Sequence, residues 1–342
     1  MIHLRSSFSI VQAGKTITRH YRTYRSFSDA TRMFIHYYYS HLMMPLYLKK
    51  GNIVDTNGYT LKIIPNDKGI STELRVFKTH EPLATELLRK ELKDGMVCID
   101  MGSNIGYYAI LESKLVGNSG KVIGFEPAPM NFIYLNHNVA ANKLSNIETY
   151  NTAIGDTDGY VNFLIREQSN SCRVVFSQAT NQLDGIATIK VPVKTLDTFI
   201  QERQITKVDF IRMDLDGYEY KAYQGMINTI KRFKPALMME IHPEFMGQDK
   251  TLQLLKNLQN DGYEIRHCID RVLDYSLVGS MKAVKELNLN KFIEMVANRF
   301  ITNGFTINNA FNVYLDRNNG NPESLGHISE HAAKQRQVIQ TD

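Results

Sequence analysis

The sequence has few cysteines and lacks a long apolar run. Its three cysteines, Cys98, Cys172 and Cys268, are widely spaced and form no C-x-x-C pair. This pattern argues against a disulfide framework and a zinc site, and it indicates a reducing compartment. No stretch of about 18 uninterrupted apolar residues occurs, so we expect no transmembrane helix. The first residues also lack the apolar segment of a signal peptide, and we therefore expect a cytoplasmic protein.

The positive charge is concentrated in the first fifty residues. Residues 1–50 contain eight Lys and Arg residues and one acid, Asp29, whereas residues 51–342 contain 32 basic and 34 acidic residues. The main part of the chain is therefore slightly acidic, which disfavours nucleic acid as a partner. Residues 33–47 (MFIHYYYSHLMMPLY) predict an amphipathic helix that ends near Pro45. This helix could pack on the core with a solvated basic face, make a peripheral membrane contact, or bind RNA.

Short apolar runs alternate with helical segments after residue 95. Before them, Asn57-Gly58 is a turn signal that predicts a β-hairpin over 52–64, and a helix opens at Glu81-Pro82. Strands are then predicted at Val97–Met101, Lys121–Glu126, Ile147–Ala153, Val208–Asp214 and Ala236–Ile241. Helices are predicted at Tyr107–Val116, Pro129–Asn142 and Tyr218–Arg232. This alternation predicts a doubly wound, mostly parallel α/β sheet.

Two regions depart from this alternation. Residues 156–195 are β-rich, with predicted strands at Tyr160–Ile165 and Ile186–Val193. Further strands at Tyr263–Asp270 and Asn309–Asp316 are suited to closing the sheet, and the segment 271–307 between them is mainly helical in pattern. We therefore divide the chain into a basic N-terminal extension with the hairpin (1–70), an α/β domain (71–317) and a polar, loose tail (318–342).

A glycine-containing turn, Asp100-Met-Gly-Ser-Asn-Ile-Gly106, follows the first strand of the α/β domain. Gly102 and Gly106 let the backbone approach a ligand, and the helix behind them offers free N–H groups. Dinucleotide-binding domains hold pyrophosphate at this place, with the spacing G-x-G-x-x-G. A carboxylate at Asp100 would repel pyrophosphate and attract an ammonium group, such as that of S-adenosylmethionine (SAM). The turn therefore favours SAM over NAD.

Two further segments complete a nucleoside site. Glu126 ends the second strand, where a carboxylate can accept two hydrogen bonds from ribose hydroxyls. The segment around Ala153 follows the third strand, where it could contact the edge of an adenine ring. The turn by itself is a weak motif that also occurs in ordinary loops. The motif is much more specific when a strand precedes the turn and a helix, a second strand and a terminal acid follow it in this order.

Acidic residues and a histidine end two later strands. Asp214 and Asp216 follow the fourth strand, and Glu240 and His242 end the fifth. Ligands of open α/β sheets lie beyond the carboxyl ends of the strands, so both ends face the reactive side of the cofactor. An alcohol that accepts a methyl group must lose a proton. His242 is the candidate base, with Asp214 or Glu240 orienting it.

These residues also have simpler interpretations. Asp216-Gly217 could be only a turn, and Glu219 could only stabilise the first turn of a helix. Asp214, Asp216, Glu240 and His242 could instead hold Mg²⁺. We predict no metal ion at this site.

Six blocks, in this order, closely resemble the FkbM-type methyltransferases: Asp100-Met-Gly-Ser-Asn-Ile-Gly-Tyr-Tyr108, Phe125-Glu-Pro127, Ala153-Ile-Gly-Asp156, Val193-Lys-Thr-Leu-Asp197, Asp209-Phe-Ile-Arg-Met-Asp-Leu-Asp-Gly-Tyr-Glu219 and Glu240-Ile-His-Pro243. With Glu81-Pro82 before them, they span about residues 70–270. The resemblance implies a seven-stranded class I SAM methyltransferase fold over 71–317. It implies O-methylation of a hydroxyl on a sugar, glycan, glycolipid or related secondary metabolite.

The resemblance also implies roles for particular residues. Asp100, Gly102, Asn104 and Gly106 would hold the methionine end of the cofactor, Glu126 its ribose, and Asp214 and Glu240 would face the acceptor. The chain departs from the family at Asp216, where Glu is usual, which shortens the reach of this carboxylate.

Two other functions stay open on the residues alone. The chain could be an NAD-dependent oxidoreductase, although Asp100 and the glycine spacing count against it. It could also be a non-catalytic nucleoside-binding protein. A base-modifying enzyme is disfavoured, because no Asn/Asp-Pro-Pro-Tyr sequence follows the fourth strand. The acceptor and the oligomeric state are left open by these residues.

Overall fold

The computed structural model describes residues 31, 35, 51–67, 69–166, 168–175, 187–274, 284–285, 287–298 and 310–317. The helix predicted over 33–47 lies outside the described residues, apart from Ile35, which is helical, and so does the tail 318–342. Within the described part of the chain, no helix has the length and apolar character needed to cross a membrane.

The described residues form the following strands: β1 (Ile53–Thr56), β2 (Tyr59–Lys62), β3 (Val97–Met101), β4 (Lys121–Phe125), β5 (Ile147–Tyr150), β6 (Ala153–Ile154), β7 (Gly159–Ile165), β8 (Arg173–Val174), β9 (Ala187–Lys194), β10 (Phe210–Met213), β11 (Ala236–Ile241), β12 (Tyr263–Asp270), β13 (Val284–Lys285) and β14 (Phe311–Arg317). They also form the following α-helices: α1 (Ile70–Phe77), α2 (Pro82–Glu91), α3 (Tyr107–Val116), α4 (Pro129–Ala141), α5 (Leu196–Glu202), α6 (Glu219–Gln224), α7 (Ile227–Phe233), α8 (Pro243–Met246), α9 (Gln248–Asn260) and α10 (Leu289–Asn298).

The main sheet has the strand order β13-β12-β14-β11-β10-β3-β4-β5. The five strands from β11 to β5 are parallel to one another, and β14 runs antiparallel to both β11 and β12. This confirms the doubly wound, mostly parallel seven-stranded sheet, to which the two-residue β13 adds an edge strand. The chain order reverses between β3 and β10, so their carboxyl ends lie side by side at the switch point.

Both faces of the main sheet are covered by apolar side chains. The hairpin and helices α1 to α3 contribute to a core on one face, and α5 to α7, α9 and α10 contribute to a core on the other. Cys98, Ile99 and Met101 of β3 are fully buried. Strands that are buried on both faces read as continuous apolar runs, which explains why β3, β4, β10 and β11 are visible in the sequence.

The β1–β2 hairpin is docked on helix α4. Asn57 and Gly58 both have positive φ angles, 51° and 78°, as an Asn-Gly hairpin turn requires. The backbone N–H of Lys62 donates to Asn138 Oδ1 at 2.7 Å, and Asn138 Nδ2 donates back to the carbonyl of Lys62 at 3.0 Å. The hairpin is therefore anchored by a buried side chain of the α/β domain.

Two predicted elements are divided in the structure. The predicted strand Ile147–Ala153 splits into β5 in the main sheet and β6, which pairs with β9 in a second sheet of order β6-β9-β7-β8. The predicted helix Tyr218–Arg232 breaks into α6 and α7 at Gly225, because this glycine packs directly against the carbonyl of Gly155. A side chain at Gly225 would collide with that carbonyl.

Candidate functional site

A cavity lies beyond the carboxyl ends of β3, β4 and β10. The main sheet supplies one part of its wall, and the second sheet with the adjoining loop supplies another. It is lined by Met101, Gly102, Asn104, Phe125, Glu126, Pro127, Asn131, Thr152, Ala153, Ile154, Phe163, Ser169, Cys172, Arg173, Val174, Asp214, Leu215, Asp216 and Tyr218. This position is typical of a small-ligand site in an open α/β sheet.

The turn after β3 is held against the end of β10. Gly102 has a φ of +88°, and a Cβ at this position would lie well inside 3.0 Å of the Asp214 carbonyl oxygen. Asn104 also has a positive φ of 49°, and its backbone N–H donates to Glu126 Oε2 at 2.8 Å. The close approach of two strand ends therefore depends on a glycine at 102.

Asp100 lies beneath this turn and is fully buried. Its Oδ1 accepts a hydrogen bond from Arg212 Nη1 at 3.0 Å, whereas its Oδ2 has no hydrogen-bond partner among the described residues. A buried, unpaired carboxylate oxygen is costly, and a ligand that donates a hydrogen bond would remove this cost. The turn therefore holds one carboxylate oxygen that no described residue satisfies.

Glu126 faces the cavity with little exposure, 4% of its surface. Its Oε1 accepts from the backbone N–H of Ala128 at 2.8 Å. Burial raises the pKa of this carboxyl to about 7. Because each carboxylate oxygen can accept more than one hydrogen bond, the group can still receive ribose hydroxyls.

Arg212 connects the turn over residues 100–106 to the end of β10. Its Nη1 donates to Asp100, its Nη2 donates to Asp214 Oδ2 at 2.9 Å, and its guanidinium lies 4.1 Å from the ring centre of Tyr108. Burial opposes its charge, but Asp100 and Asp214 outweigh this and raise the pKa of the guanidinium. Sequence reasoning missed Arg212, although its place between Asp100 and Asp214 follows from parallel pairing of β3 with β10.

His242 is enclosed by carboxylates. Its Nδ1 lies 2.8 Å from Glu219 Oε1, and its Nε2 lies 3.3 Å from Glu240 Oε1 and 3.6 Å from Asp216 Oδ1. Burial alone lowers the pKa of this imidazole, but Glu219 and Glu240 raise it well above its ordinary value. The surrounding carboxylates therefore favour the protonated form of the ring.

Asp214, Glu240 and His242 come together as the sequence predicts, with one ligand-type atom from each within 4.8 Å of the others. Arg212 contacts Asp214, and Arg271 Nε lies 3.1 Å from Glu240 Oε1. Each carboxylate already faces a cation of the protein. The prediction that no metal is held here stays a prediction.

The cavity wall contains part of the predicted set. Four predicted cofactor residues line it, namely Gly102, Asn104, Glu126 and Ala153, and so does Asp214. Asp100 and Gly106 lie behind the turn, where Gly106 packs against Leu135 and Ile110. Glu240 and His242 are buried behind Asp214 and do not belong to the wall.

Sequence reasoning missed two parts of the site. Glu219 is more than a helix-stabilising residue, because its Oε1 accepts from the backbone N–H of Gly217 at 3.0 Å and contacts His242. Phe163 and Arg173 of the second sheet enter the wall although no motif marks them. Only the β-rich character of 156–195 signals this region.

Comparisons with known proteins bear on the family. The model of the methyltransferase FkbM domain matches residues 100–265. No curated protein matches the chain. Three solved structures are similar: the methyltransferase FkbM from Methylobacillus flagellatus KT (14% identity, 71% of this chain, 52% of that chain, TM-score 0.32), TYW2 from M. jannaschii in complex with AdoMet (12%, 78%, 86%, 0.36), and a SAM dependent methyltransferase from Aquifex aeolicus (16%, 69%, 90%, 0.33).

At these TM-scores the three structures do not identify the site residues of this chain. The domain match coincides with the sequence blocks from Asp100 to Glu240-Ile-His-Pro243 and with the parallel sheet that carries them. The resemblance stated from the sequence is confirmed: the chain carries a methyltransferase FkbM domain over residues 100–265.

Proposed function

We propose that this methyltransferase uses SAM to methylate a hydroxyl of a sugar, glycan, glycolipid or related metabolite. The proposal rests on one observation. A single cavity is bordered both by the predicted nucleoside site and by a carboxylate that would face the acceptor. Glu126 and Asp214 both line it, and Gly102 brings the turn of the nucleoside site against Asp214. A cofactor and an acceptor bound there would lie side by side, as direct transfer requires.

The residues fit the cofactor. Asp100 with its unpaired Oδ2, Gly102, Asn104 and Gly106 would hold the methionine end, Glu126 the ribose, and Ala153 the adenine side. When bound, SAM supplies a methyl group on a positively charged sulfur. The acids of the cavity wall, Glu126, Asp214 and Asp216, suit a cationic ligand.

The remaining chemistry is removal of the proton from the acceptor hydroxyl. The geometry favours Asp214 over His242 for this role. Asp214 lines the cavity, whereas both ring nitrogens of His242 face carboxylates, which favour a protonated ring. Burial and Glu240 raise the pKa of Asp214, which makes its carboxylate a better acceptor of the proton. His242 and Arg212 position the neighbouring carboxylates.

The cofactor half of the proposal is tested by calorimetry with SAM, S-adenosylhomocysteine (SAH) and NAD. We expect SAM and SAH to bind and NAD not to bind, and we expect Asp100→Ala to abolish SAM binding. Asp249→Asn, on an exposed helical turn, is the matched control and should bind as the wild type does. Tight NAD binding without SAM binding would mean an oxidoreductase.

The transfer half is tested by SAH formation with a panel of hydroxylated sugars and glycolipids. Asp214→Asn should leave SAH affinity within a few-fold and slow transfer by about 10²- to 10⁴-fold, the usual loss for a general base. Unchanged transfer in this variant would refute the role of Asp214. If the wild type binds SAM but forms no SAH with any acceptor of the panel, a non-catalytic nucleoside-binding role is the better explanation.

A further inference from the structure

We propose that the acceptor carries an anionic group, a phosphate or a carboxylate, which Arg173 binds at the acceptor side of the cavity. The inference rests on the proposed function, since it concerns the second ligand of the same cavity. It starts from the charges of the wall. Among the described residues that line the cavity, Glu126, Asp214 and Asp216 are acidic and Arg173 is the one basic residue.

Arg173 is held in place by an aromatic ring. Its guanidinium carbon lies 4.1 Å from the ring centre of Phe245, which is 40% exposed. Phe245 is stacked in turn on His242, with ring centres 5.8 Å apart, and its Cβ packs against Gly217. Arg173 therefore stands over the ends of β10 and β11. A stacked guanidinium is already ordered, and its N–H edge stays available for a ligand.

The N–H donors of Arg173 are unused within the described part of the chain. There, the Arg173 side chain makes no hydrogen bond and no ion pair within 4.0 Å, and its guanidinium packs on the ring of Phe245. Arginine has five N–H donors, so an unpaired arginine in a cavity wall is an open site for an oxyanion. Phosphate and carboxylate groups match its forked geometry with two parallel hydrogen bonds.

Charged groups of both signs surround Arg173. Burial and the nearby positive charge of Arg166 lower the pKa of Arg173, whereas Asp216 and Glu244 raise it. Arg166 is at the end of β7, where the Cys172 thiol lies 3.3 Å from its backbone nitrogen and brings this end near β8. Two like charges placed near each other are stabilised by an anion between or beside them.

The location distinguishes the acceptor from the cofactor. The acids that act on Arg173 are Asp216 and Glu244, which follow β10 and β11. Asp100 and Glu126, which mark the cofactor half, are not among them. An anionic group at Arg173 would therefore belong to a ligand that approaches Asp214 from the acceptor side. The methionine carboxylate of the cofactor is the competing occupant.

The experiment uses the full chain saturated with SAH, at constant ionic strength, with inorganic phosphate and acetate as probes. Binding is followed by broadening of the NMR signal of each anion. We expect saturable binding of one or both anions, weakened about tenfold or more in Arg173→Gln, as expected for loss of a hydrogen-bonded ion pair. Arg173→Lys should lose less, because it keeps the charge. Arg232→Gln is the matched control, since Arg232 stacks on Phe233 at 4.6 Å outside the cavity wall, and it should bind as the wild type does.

The outcomes separate the alternatives. Preference for phosphate indicates a phosphorylated acceptor, and preference for acetate indicates a carboxylated one. If SAH binds but neither anion binds in an Arg173-dependent manner, the inference is wrong and the proposed function stands. If Arg173→Gln weakens SAH binding instead, Arg173 serves the cofactor carboxylate and the inference is also wrong. If SAH itself does not bind the wild type, the proposed function fails first.

Discussion

Replacement of Gly102 by alanine tests how the turn over residues 100–106 is built. Gly102 has a φ of +88°, and a Cβ there would lie well inside 3.0 Å of the Asp214 carbonyl oxygen. The positive φ alone costs a non-glycine residue about 1–2 kcal/mol. The collision adds an overpacking cost of about 1–3 kcal/mol, because both partners are backbone. We therefore expect Gly102→Ala to lower the free energy of unfolding by about 2–5 kcal/mol.

Gly262→Ala is the matched control for this substitution. Gly262 has a similar φ of +81°, but no atom lies within 4 Å of the position a Cβ would take. It should lose only the backbone term, about 1–2 kcal/mol, and keep full SAH affinity. Unfolding in urea is followed by circular dichroism, since the chain contains no tryptophan. If the two variants have equal stability and equal SAH affinity, the close approach of the turn to β10 is refuted.

Three further predictions concern carboxyl groups. The pKa of Glu126 is about 7, so this group ionises as the pH rises from 6 to 8, and SAH affinity should rise by up to about tenfold over this range. Glu126→Gln should bind more weakly and without this pH dependence; a parallel profile would contradict the ribose role. Asp197 accepts hydrogen bonds from the backbone N–H groups of Asn228 and Thr229 at 2.9 and 2.7 Å, so Asp197→Ala should cost about 1–3 kcal/mol in urea unfolding and leave SAH affinity unchanged. Burial and the charge of Asp100 raise the pKa of Glu112 well above its ordinary value, and neither of its carboxyl oxygens has a hydrogen-bond partner among the described residues. Above the ordinary pKa the unfolded chain releases a proton that the folded chain keeps, so this group destabilises the fold as the pH rises. Glu112→Gln should therefore raise the melting temperature more at pH 8 than at pH 5, and an equal change at both would show that Glu112 is ionised in the folded protein.

The order of strands and helices could be read from the chain because it depends on local chemistry. Strands β3 and β11 begin and end where the apolar runs do, and helix α3 has the predicted bounds. The Asn57-Gly58 turn has the two positive φ angles that its residues favour. The local pattern predicts an element wrongly where a residue distant in the chain packs against that element. The helix predicted over 218–232 breaks because Gly225 packs against Gly155, seventy residues earlier in the chain.

The candidate site shows the same division. The grouping of Asp100, Gly102, Glu126 and Asp214 could be predicted from their places at strand ends, because parallel strands bring these ends to one edge of the sheet. The charge state of His242 could not be assigned in this way. It depends on Glu219, which lies twenty-three residues earlier in the chain and contacts the ring only through the fold.

The sequence by itself determined the sheet, the turn over residues 100–106 and the acids that lie near it, since each follows from residue type and spacing within one strand–turn–helix unit. The tertiary structure decided which of these acids borders the cavity. It placed Asp214 in the wall and His242 behind it, and it brought Arg173 from the second sheet to the acceptor side. The physical reason is that side-chain ionisation and cavity walls depend on contacts between distant segments, and only the packed core sets those contacts.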